Sequence, residues 1–232
     1  MLSIRPAAER GHFDFGWLDT WHSFSFGDYH DPRHHQFRAL RVINEDRIEP
    51  GQGFGTHGHK DMEIFTWVLE GALEHQDSLG TKGVIRPGEA QVMSAGTGIR
   101  HSEFNASTQD PVHLLQIWIL PGAQGLAPRY DQVRFEDEAL RNRWKEVAST
   151  EGIDGAIKLF QDARIAVVRL DPGTTISRDL ARDRSAWLQV ARGRVEVNGM
   201  SLNAGDGVGI EQETMLEVIA QEDAEVLLLD LA

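Results

Sequence analysis

The residues best suited to chemistry in this sequence are two pairs of potential metal ligands, each pair separated by a single residue. His57 and His59 follow a glycine-rich stretch, and His101 and Glu103 come further along the chain. Side chains of an extended strand alternate between its two faces, so the members of each pair project to the same side. One H-x-H pair alone is weak evidence, because two histidines on one face of an exposed strand are common and inert.

The two pairs together indicate one metal site. If the two segments face each other across a barrel, they supply three imidazoles and one carboxylate to a single ion. This donor set suits Fe(II), Mn, Ni, Co, Cu(II) or Zn, and a six-coordinate ion would keep two positions open. Open positions indicate catalysis rather than a closed structural site. We therefore expect one divalent metal per chain.

The distribution of histidine supports a site in the first half of the chain. All ten histidines lie between His12 and His113, and the rest of the chain has none. The sequence contains no cysteine, which excludes disulfides, thiolate ligands and a cysteine nucleophile. One half of the chain is thus predicted to carry the chemistry.

The elements that must position these residues read as short strands separated by Gly, Pro, Asn and Asp turns, which is typical of a barrel or sandwich. The exception is residues 136–147, whose Glu, Arg and Ala content predicts a helix. The segment VLEGALEH at 68–75 is echoed by VARGRVEV at 190–197, and each copy is followed by a turn and a second glycine beside an acidic residue. Two copies of one small barrel explain this repeat.

The second copy offers an internal comparison for the metal site. Aligned on the repeat, Asp179 and Ala181 stand where the first copy has His57 and His59. No imidazole is present there, so the second barrel is predicted to hold no metal.

The residues also carry a family resemblance. Gly51, His57, His59, Glu63 and Gly71 are similar in order to the first cupin motif, and G-x-x-H-x-x-x-N at 98–105 is similar to the second. The segments GWLDTWHSFSF (16–26), GFGTHGHKDME (53–63) and SAGTGIRHSE (94–103) resemble the pirin family. This resemblance implies an all-β bicupin of two tandem antiparallel β-barrel (jelly-roll) domains, which we place at residues 1–135, with the metal site, and 136–232.

The resemblance further implies that His57, His59, His101 and Glu103 hold the metal, with Fe(II) favoured and Ni, Co, Mn, Cu or Zn as alternatives. It implies a dioxygenase that opens flavonols such as quercetin with O₂ and releases carbon monoxide, with Glu103 as the catalytic base. Two departures from the cupin pattern are present. The gap from Glu63 to Gly71 is one residue longer than usual, and Gly96 stands where cupins often have proline. Glu63, the usual cupin carboxylate ligand, therefore competes with Glu103.

Other histidines and aromatic residues are predicted to have structural roles. His22, His30, His34 and His35 are expected to be solvated. Hydrogen-bonded positions in barrel strands are expected for His75 and His113, and a core position for Trp118. An N-terminal arm packed on the barrel would use four aromatic residues that could alternatively line a flavonoid pocket: Trp17, Trp21, Phe24 and Phe26.

The net charge of the chain limits the kinds of partner that it is expected to bind. With 36 acidic and 23 basic residues, the formal net charge is −13, which disfavours direct contact with nucleic acid or anionic membranes. No apolar leader or membrane span is visible, so a cytoplasmic location is expected. Two other functions remain open: a regulatory protein that binds a protein partner and uses the metal as a redox or structural element, and a metal enzyme acting on a different enol.

Overall fold

The chain forms two barrels, each from one seven-stranded and one four-stranded sheet, in a computed structural model that describes residues 1–232. The strands of the first half are β1 (Leu2–Arg5), β2 (Gly11–Asp14), β3 (Leu18–His22), β4 (Leu40–Ile48), β5 (Gly53–His59), β6 (Glu63–Glu70), β7 (Leu73–Asp77), β8 (Lys82–Ile85), β9 (Glu89–Ser94), β10 (Ile99–Asn105) and β11 (Val112–Ile119). The remaining strands are β12 (Arg129–Arg134), β13 (Lys145–Ser149), β14 (Ile157–Lys158), β15 (Ala163–Leu170), β16 (Thr175–Asp179), β17 (Ser185–Arg192), β18 (Arg194–Val197), β19 (Met200–Asn203), β20 (Gly207–Glu211), β21 (Met215–Ala220) and β22 (Ala224–Leu231).

The sheet orders of the two barrels match strand for strand. The first barrel has the orders β12-β9-β6-β11-β4-β3-β2 and β5-β10-β7-β8, and the second has β1-β20-β17-β22-β15-β13-β14 and β16-β21-β18-β19. The repeated sequence segments occupy β6–β7 in one barrel and β17–β18 in the other. The predicted all-β bicupin of antiparallel barrels is confirmed, with β13 and β14 as a parallel pair.

The two strands at the ends of the first half, β1 and β12, pair with different barrels. Strand β12 completes the first barrel by pairing with β9. The corresponding edge of the second barrel is completed by β1 from the N-terminus, where Leu2 pairs with Ile210 on β20. The division at residues 135 and 136 stays a prediction, and strand β1 belongs to the sheet of the later half.

The helix predicted over residues 136–147 is wrong for most of its length. A single turn, α1 (Asp137–Leu140), is present, and a 3₁₀ turn covers Ala7–Glu9. Asn142 has a positive φ of 55°, which a right-handed helix cannot continue through. Burial of Val147 and Ala148 between the barrels then favours strand β13. The chain contains no helix long and apolar enough to cross a membrane.

One hydrophobic core connects the two barrels. A cluster of 25 buried residues includes Phe65 and Leu115 from the first barrel together with Val167 and Leu229 from the second. A polar contact between Trp67 and Glu225 crosses the same boundary, and Arg169 of the second barrel supports it. The indole nitrogen of Trp67 donates to Glu225 Oε1 at 2.6 Å, and Arg169 Nε donates to the other oxygen of Glu225 at 3.2 Å.

Replacing Glu225 with Ala is expected to destabilise the whole protein by about 2–4 kcal/mol, because it leaves the buried indole N–H without an acceptor and removes the partner of Arg169. Thermal unfolding followed by circular dichroism measures this loss. Glu225→Gln keeps an acceptor for the indole and should lose less. Equal stability of the wild type and Glu225→Ala would show that this contact does not hold the barrels together.

Candidate metal centre

The four candidate ligands lie on two neighbouring strands of one sheet. Strand β10 pairs antiparallel with β5, and this register sets His101 directly opposite His57 and Ile99 opposite His59. The sequence-based expectation that the two segments face each other across the barrel is therefore wrong. Directly opposed residues of an antiparallel pair share a face, so the sheet itself gathers the side chains.

A register shift between His101 and Glu103 changes the position of the Glu103 side chain relative to β5. It places Glu103 opposite Phe54 on β5, while His75 lies opposite Glu103 on β7. The backbones approach closely at this point. A Cβ atom on Gly53 would stand 2.2 Å from the carbonyl oxygen of Glu103, so glycine is required there.

The three imidazoles have the spacing of ligands around one ion. The Nε2 atoms of His57 and His101 are 3.1 Å apart, and the ligand atoms of these two residues and His59 all lie within 4.8 Å of one another. Two nitrogens bound at right angles to one ion are roughly 3 Å apart at ordinary metal–nitrogen distances. His101 and Glu103 also form a second such group with His75.

Hydrogen bonds leave the Nε2 lone pairs of His57 and His101 free. His57 Nδ1 lies 2.8 Å from the Gly55 carbonyl oxygen, which can only accept, so the ring proton is on Nδ1. Asp77 Oδ2 lies 3.2 Å from His75 Nε2, and His75 Nδ1 lies 3.4 Å from His101 Nδ1. In the neutral rings, His101 Nδ1–H donates to His75 Nδ1, and His75 Nε2–H donates to Asp77 Oδ2. Both Nε2 atoms thus present lone pairs.

Burial favours the uncharged forms of His59 and His101. It lowers the pKa of His59 to about 4, with a further contribution from His57. Burial, followed by the charges of His57, His59 and His75, lowers the pKa of His101 to about 2. Neutral imidazole is the form that binds metals, so these nitrogens are available at neutral pH.

Glu103 is a buried carboxyl with one oxygen unpaired. Its side chain accepts a hydrogen bond from Gln116 Nε2 at 2.8 Å through Oε2, whereas Oε1 has no partner. Burial and then the negative charge of Asp46 raise its pKa to about 7, partly offset by Gln116 and Gln91. An unpaired buried oxygen is costly, and a cation beside it would remove that cost. The orphaned oxygen and the three imidazoles fit a divalent ion.

Glu63 lies in a different environment. Its Oε2 accepts hydrogen bonds from the Ser94 hydroxyl at 2.9 Å and from the Phe160 backbone N–H at 3.1 Å. It belongs to neither group of potential ligand atoms. Its carboxylate connects the first barrel to residue 160 instead of joining the histidines.

Three of the candidate ligands, His57, His59 and Glu103, open onto a cavity of about 480 Å³ with aromatic walls. Trp118 lines this cavity and packs edge-on against His59 at 4.9 Å, so its predicted core position is wrong. Phe26 contacts Trp118 in the same way at 5.2 Å. Trp17 packs on Phe54 at the cavity wall, 5.4 Å away.

The N-terminal aromatic run thus divides between two roles. Trp17 and Phe26 line the cavity, whereas Trp21 stacks on His12 at 3.8 Å. Phe24 is buried against Trp187 of the second barrel at 4.9 Å. The prediction of packing holds for these last two residues, and the alternative of a pocket wall holds for the first two.

The other histidines differ in burial. His22 is only 6% exposed, so its predicted solvation is wrong, while His30 and His35 are exposed and His34 is partly buried. Burial, offset by the Phe26 carbonyl and assisted by Arg10, lowers the pKa of His22 to about 4.

The predicted hydrogen bonds of the barrel histidines are confirmed. His113 contacts Glu45 at 2.9 Å, and His75 contacts Asp77 as described above. Sequence reasoning missed the proximity of His75 to the candidate ligands. It also missed Asn44, Asp46 and Gln116, which line the cavity. Gln116 had a signal in the sequence, as a polar residue inside the apolar run of β11, whereas Asn44 and Asp46 lie in a strand that also contains Arg41, Glu45 and Arg47 and had none.

Comparison with known proteins places the chain in a family. The family model described as Pirin matches residues 4–119, and the model described as Quercetinase C-terminal cupin domain matches residues 146–231. The protein named quercetin 2,3-dioxygenase of Escherichia coli strain K12 is 49% identical over 231 residues, covering 100% of this chain and 99% of the relative. A pirin-like protein of Caulobacter vibrioides is 43% identical over 233 residues, covering 100% of both chains.

A solved structure agrees with this assignment. The crystal structure of the bacterial pirin YhhW from Escherichia coli in complex with nickel(II) superposes with a TM-score of 0.95 at 49% identity, covering 100% of this chain and 99% of that one. Full-length similarity to enzymes named quercetin 2,3-dioxygenase and to a nickel-bound pirin identifies a metal-dependent, quercetinase-like cupin. The chain belongs to the pirin family.

Proposed function

We propose that this protein is a metal-dependent dioxygenase that opens flavonols such as quercetin with O₂ and releases carbon monoxide. The observation that carries the proposal is that three imidazoles gather within 4.8 Å of one another, with the buried, unpaired Glu103 carboxylate beside His101 and an aromatic cavity next to them. Full-length relatives named quercetin 2,3-dioxygenase support the substrate class.

The proposed ligands of the metal are His57, His59, His101 and Glu103. The three histidines offer unprotonated nitrogens, and Glu103 Oε1 has no competing partner. Three nitrogens and one oxygen leave open positions on a six-coordinate ion, and Fe(II) is the metal we favour among Fe(II), Ni, Co, Mn, Cu and Zn. When bound, such a metal supplies a Lewis acid for the 3-hydroxy-4-keto edge of a flavonol and a centre for chemistry with O₂.

The chain's own residues would bind the flavonol and move its proton. The flat rings of a flavonol fit between aromatic side chains such as Trp17, Phe54 and Trp118, which also exclude water from the cavity. The Glu103 carboxylate is the proposed acceptor of the 3-hydroxyl proton. Burial raises the pKa of this carboxyl to about 7 in the metal-free site, and a bound divalent ion would favour its ionised form, which is the form that can accept a proton. Gln116 holds the other oxygen of that carboxylate in place.

Replacing His57 or His101 with Ala is expected to remove most of the bound metal while the protein stays folded, because neither ring is needed to close the core. Elemental analysis of purified protein gives the metal content, with one metal per chain expected in the wild type, and circular dichroism reports the fold. His30→Ala, which removes an exposed histidine, is the matched control. Unchanged metal in both ligand variants, or two metals per chain in the wild type, would contradict the assignment.

Metal affinity is expected to fall by up to about tenfold per pH unit below pH 7, because Glu103, with its pKa raised to about 7, must lose a proton to bind. Above that pH the carboxyl is already ionised and its contribution is flat. His59 and His101, with pKa values lowered to about 4 and 2, are already unprotonated and add no slope near neutrality.

Equilibrium dialysis between about pH 5 and pH 8 measures this dependence. Glu103→Gln should bind metal more weakly and with a shallower pH profile. Glu63→Gln is the matched control, because its carboxylate is engaged by Ser94 and Phe160, and it should keep the wild-type slope. The reverse pattern would assign the ligand role to Glu63.

Aerobic incubation with quercetin is expected to bleach the flavonol absorbance and release carbon monoxide, whereas anaerobic or metal-stripped samples should do neither. Flavones that lack the 3-hydroxyl should be inert, because they offer no proton for Glu103 and no anionic metal-binding edge. His57→Ala should abolish the reaction. A panel of flavonols left untouched by metal-replete protein would overturn the dioxygenase function in favour of the regulatory alternative.

A further inference from the structure

A second cavity of about 320 Å³ adjoins the cavity of the metal centre. The two are direct neighbours, because they share five lining residues: Trp17, Phe26, Asn44, Asp46 and Phe54. Phe13 and Phe15 extend the apolar wall of the second cavity, which we call the annex. Its walls are therefore suited to a flat aromatic ring.

Asn44 stands where the annex meets the metal centre. It lies on β4 directly opposite Gln116 of β11, the residue that binds Glu103. Its side chain is only 5% exposed, yet Oδ1 has no hydrogen-bond partner. A buried amide oxygen without a donor destabilises a protein, so its presence requires an explanation other than stability.

Another buried asparagine in the same barrel shows the contrasting arrangement. Asn105 is 4% exposed, and its Nδ2 donates to the carbonyl oxygens of Ile48 and Asp110, both at 2.9 Å. Its Oδ1 accepts from the backbone N–H of Ser107 at 2.9 Å. Asn105 therefore fixes loops of the protein, whereas the amide of Asn44 is held ready for a group from outside.

The neighbouring polar side chains agree with this role. Asp46 lies two residues beyond Asn44 on the same face of β4 and is 4% exposed. One of its oxygens accepts the hydroxyl of Thr20 at 2.5 Å, and Thr20 Oγ1 is in turn 2.9 Å from His22 Nε2. A short polar edge thus runs along one side of an otherwise aromatic space. This combination suits an aromatic ring that carries hydroxyl groups.

We propose that the annex binds the hydroxylated 2-phenyl ring of the flavonol, and that the amide of Asn44 forms a hydrogen bond with a hydroxyl of that ring. This inference rests on the proposed function of the metal centre. A phenolic hydroxyl donates to Oδ1 and so satisfies the atom that the protein leaves unpaired. The substrate class is accordingly narrowed to polyhydroxylated flavonols.

Quercetin and galangin test the proposal, because both have the 3-hydroxy-4-keto edge and the same hydroxyls on the fused ring, and only quercetin carries hydroxyls on the 2-phenyl ring. Their dissociation constants are measured by tryptophan fluorescence with metal-loaded protein under anaerobic conditions, which prevents turnover. The wild type should prefer quercetin by about fivefold to tenfold, the value of one buried hydrogen bond. Asn44→Leu, which removes the amide at similar volume, should bring the ratio close to one.

Thermal stability separates a binding role from a structural one. Asn44→Leu should melt at the wild-type temperature or above it, because it removes an unpaired buried polar group. The matched control, Asn105→Leu, should melt lower and keep the preference for quercetin. The proposal is overturned if the wild type binds both flavonols equally, or if the preference survives in Asn44→Leu. Failure of the wild type to bind either flavonol is a different result, since it overturns the proposed function itself.

Discussion

The antiparallel pairing of β5 with β10 is the constraint on which the candidate metal centre depends. It sets His57 opposite His101 and carries His59 and Glu103 to the same face. That face looks across the barrel at the seven-stranded sheet, from which Gln116 reaches Glu103. A slip of the pairing by one residue would turn every candidate ligand of one strand to the opposite side. The local need for glycine at position 53 reflects how closely the two backbones must approach.

Desolvation gives this face its chemical character. The same burial that discourages protonation of His59 and His101 encourages protonation of Glu103, because both changes remove charge from a poorly solvated space. Without a cation the site therefore consists of nearly uncharged groups with unused lone pairs. A bound divalent ion would favour the ionised form of the Glu103 carboxyl and would be coordinated by those lone pairs. The first barrel sacrifices some stability to keep these groups unpaired, as functional sites commonly do.

Much of the candidate site follows from alternation along single strands. Alternation places His57 with His59 and His101 with Glu103, and the repeat identifies two related barrels. Alternation does not reveal which strands are neighbours in a sheet, so the expectation of two segments facing each other across the barrel was wrong. Pairing is decided by long-range packing that leaves little trace in a local sequence window.

The remaining differences have the same origin. Trp118 resembles a core residue in an apolar strand, and only the position of the cavity shows that it touches His59. Residues 136–147 have a helical composition, but burial of Val147 in the shared core outweighs that weak local preference. In the sequence, His22 resembles an exposed loop histidine. Its burial depends on contacts between the N-terminal aromatic segment and distant strands, which the local sequence does not reveal.

The pairing of β1 with the second barrel sets an order on the biogenesis of the chain. Strand β1 leaves the ribosome long before its partner β20. Until β20 has been made, the hydrogen-bonding edge of β1 is thus without its final neighbour. Contacts of such large sequence separation form slowly, and open strand edges are sites of association with other chains. The residues of β1, which take no part in the metal centre, therefore bear on the yield of folded protein in the cell.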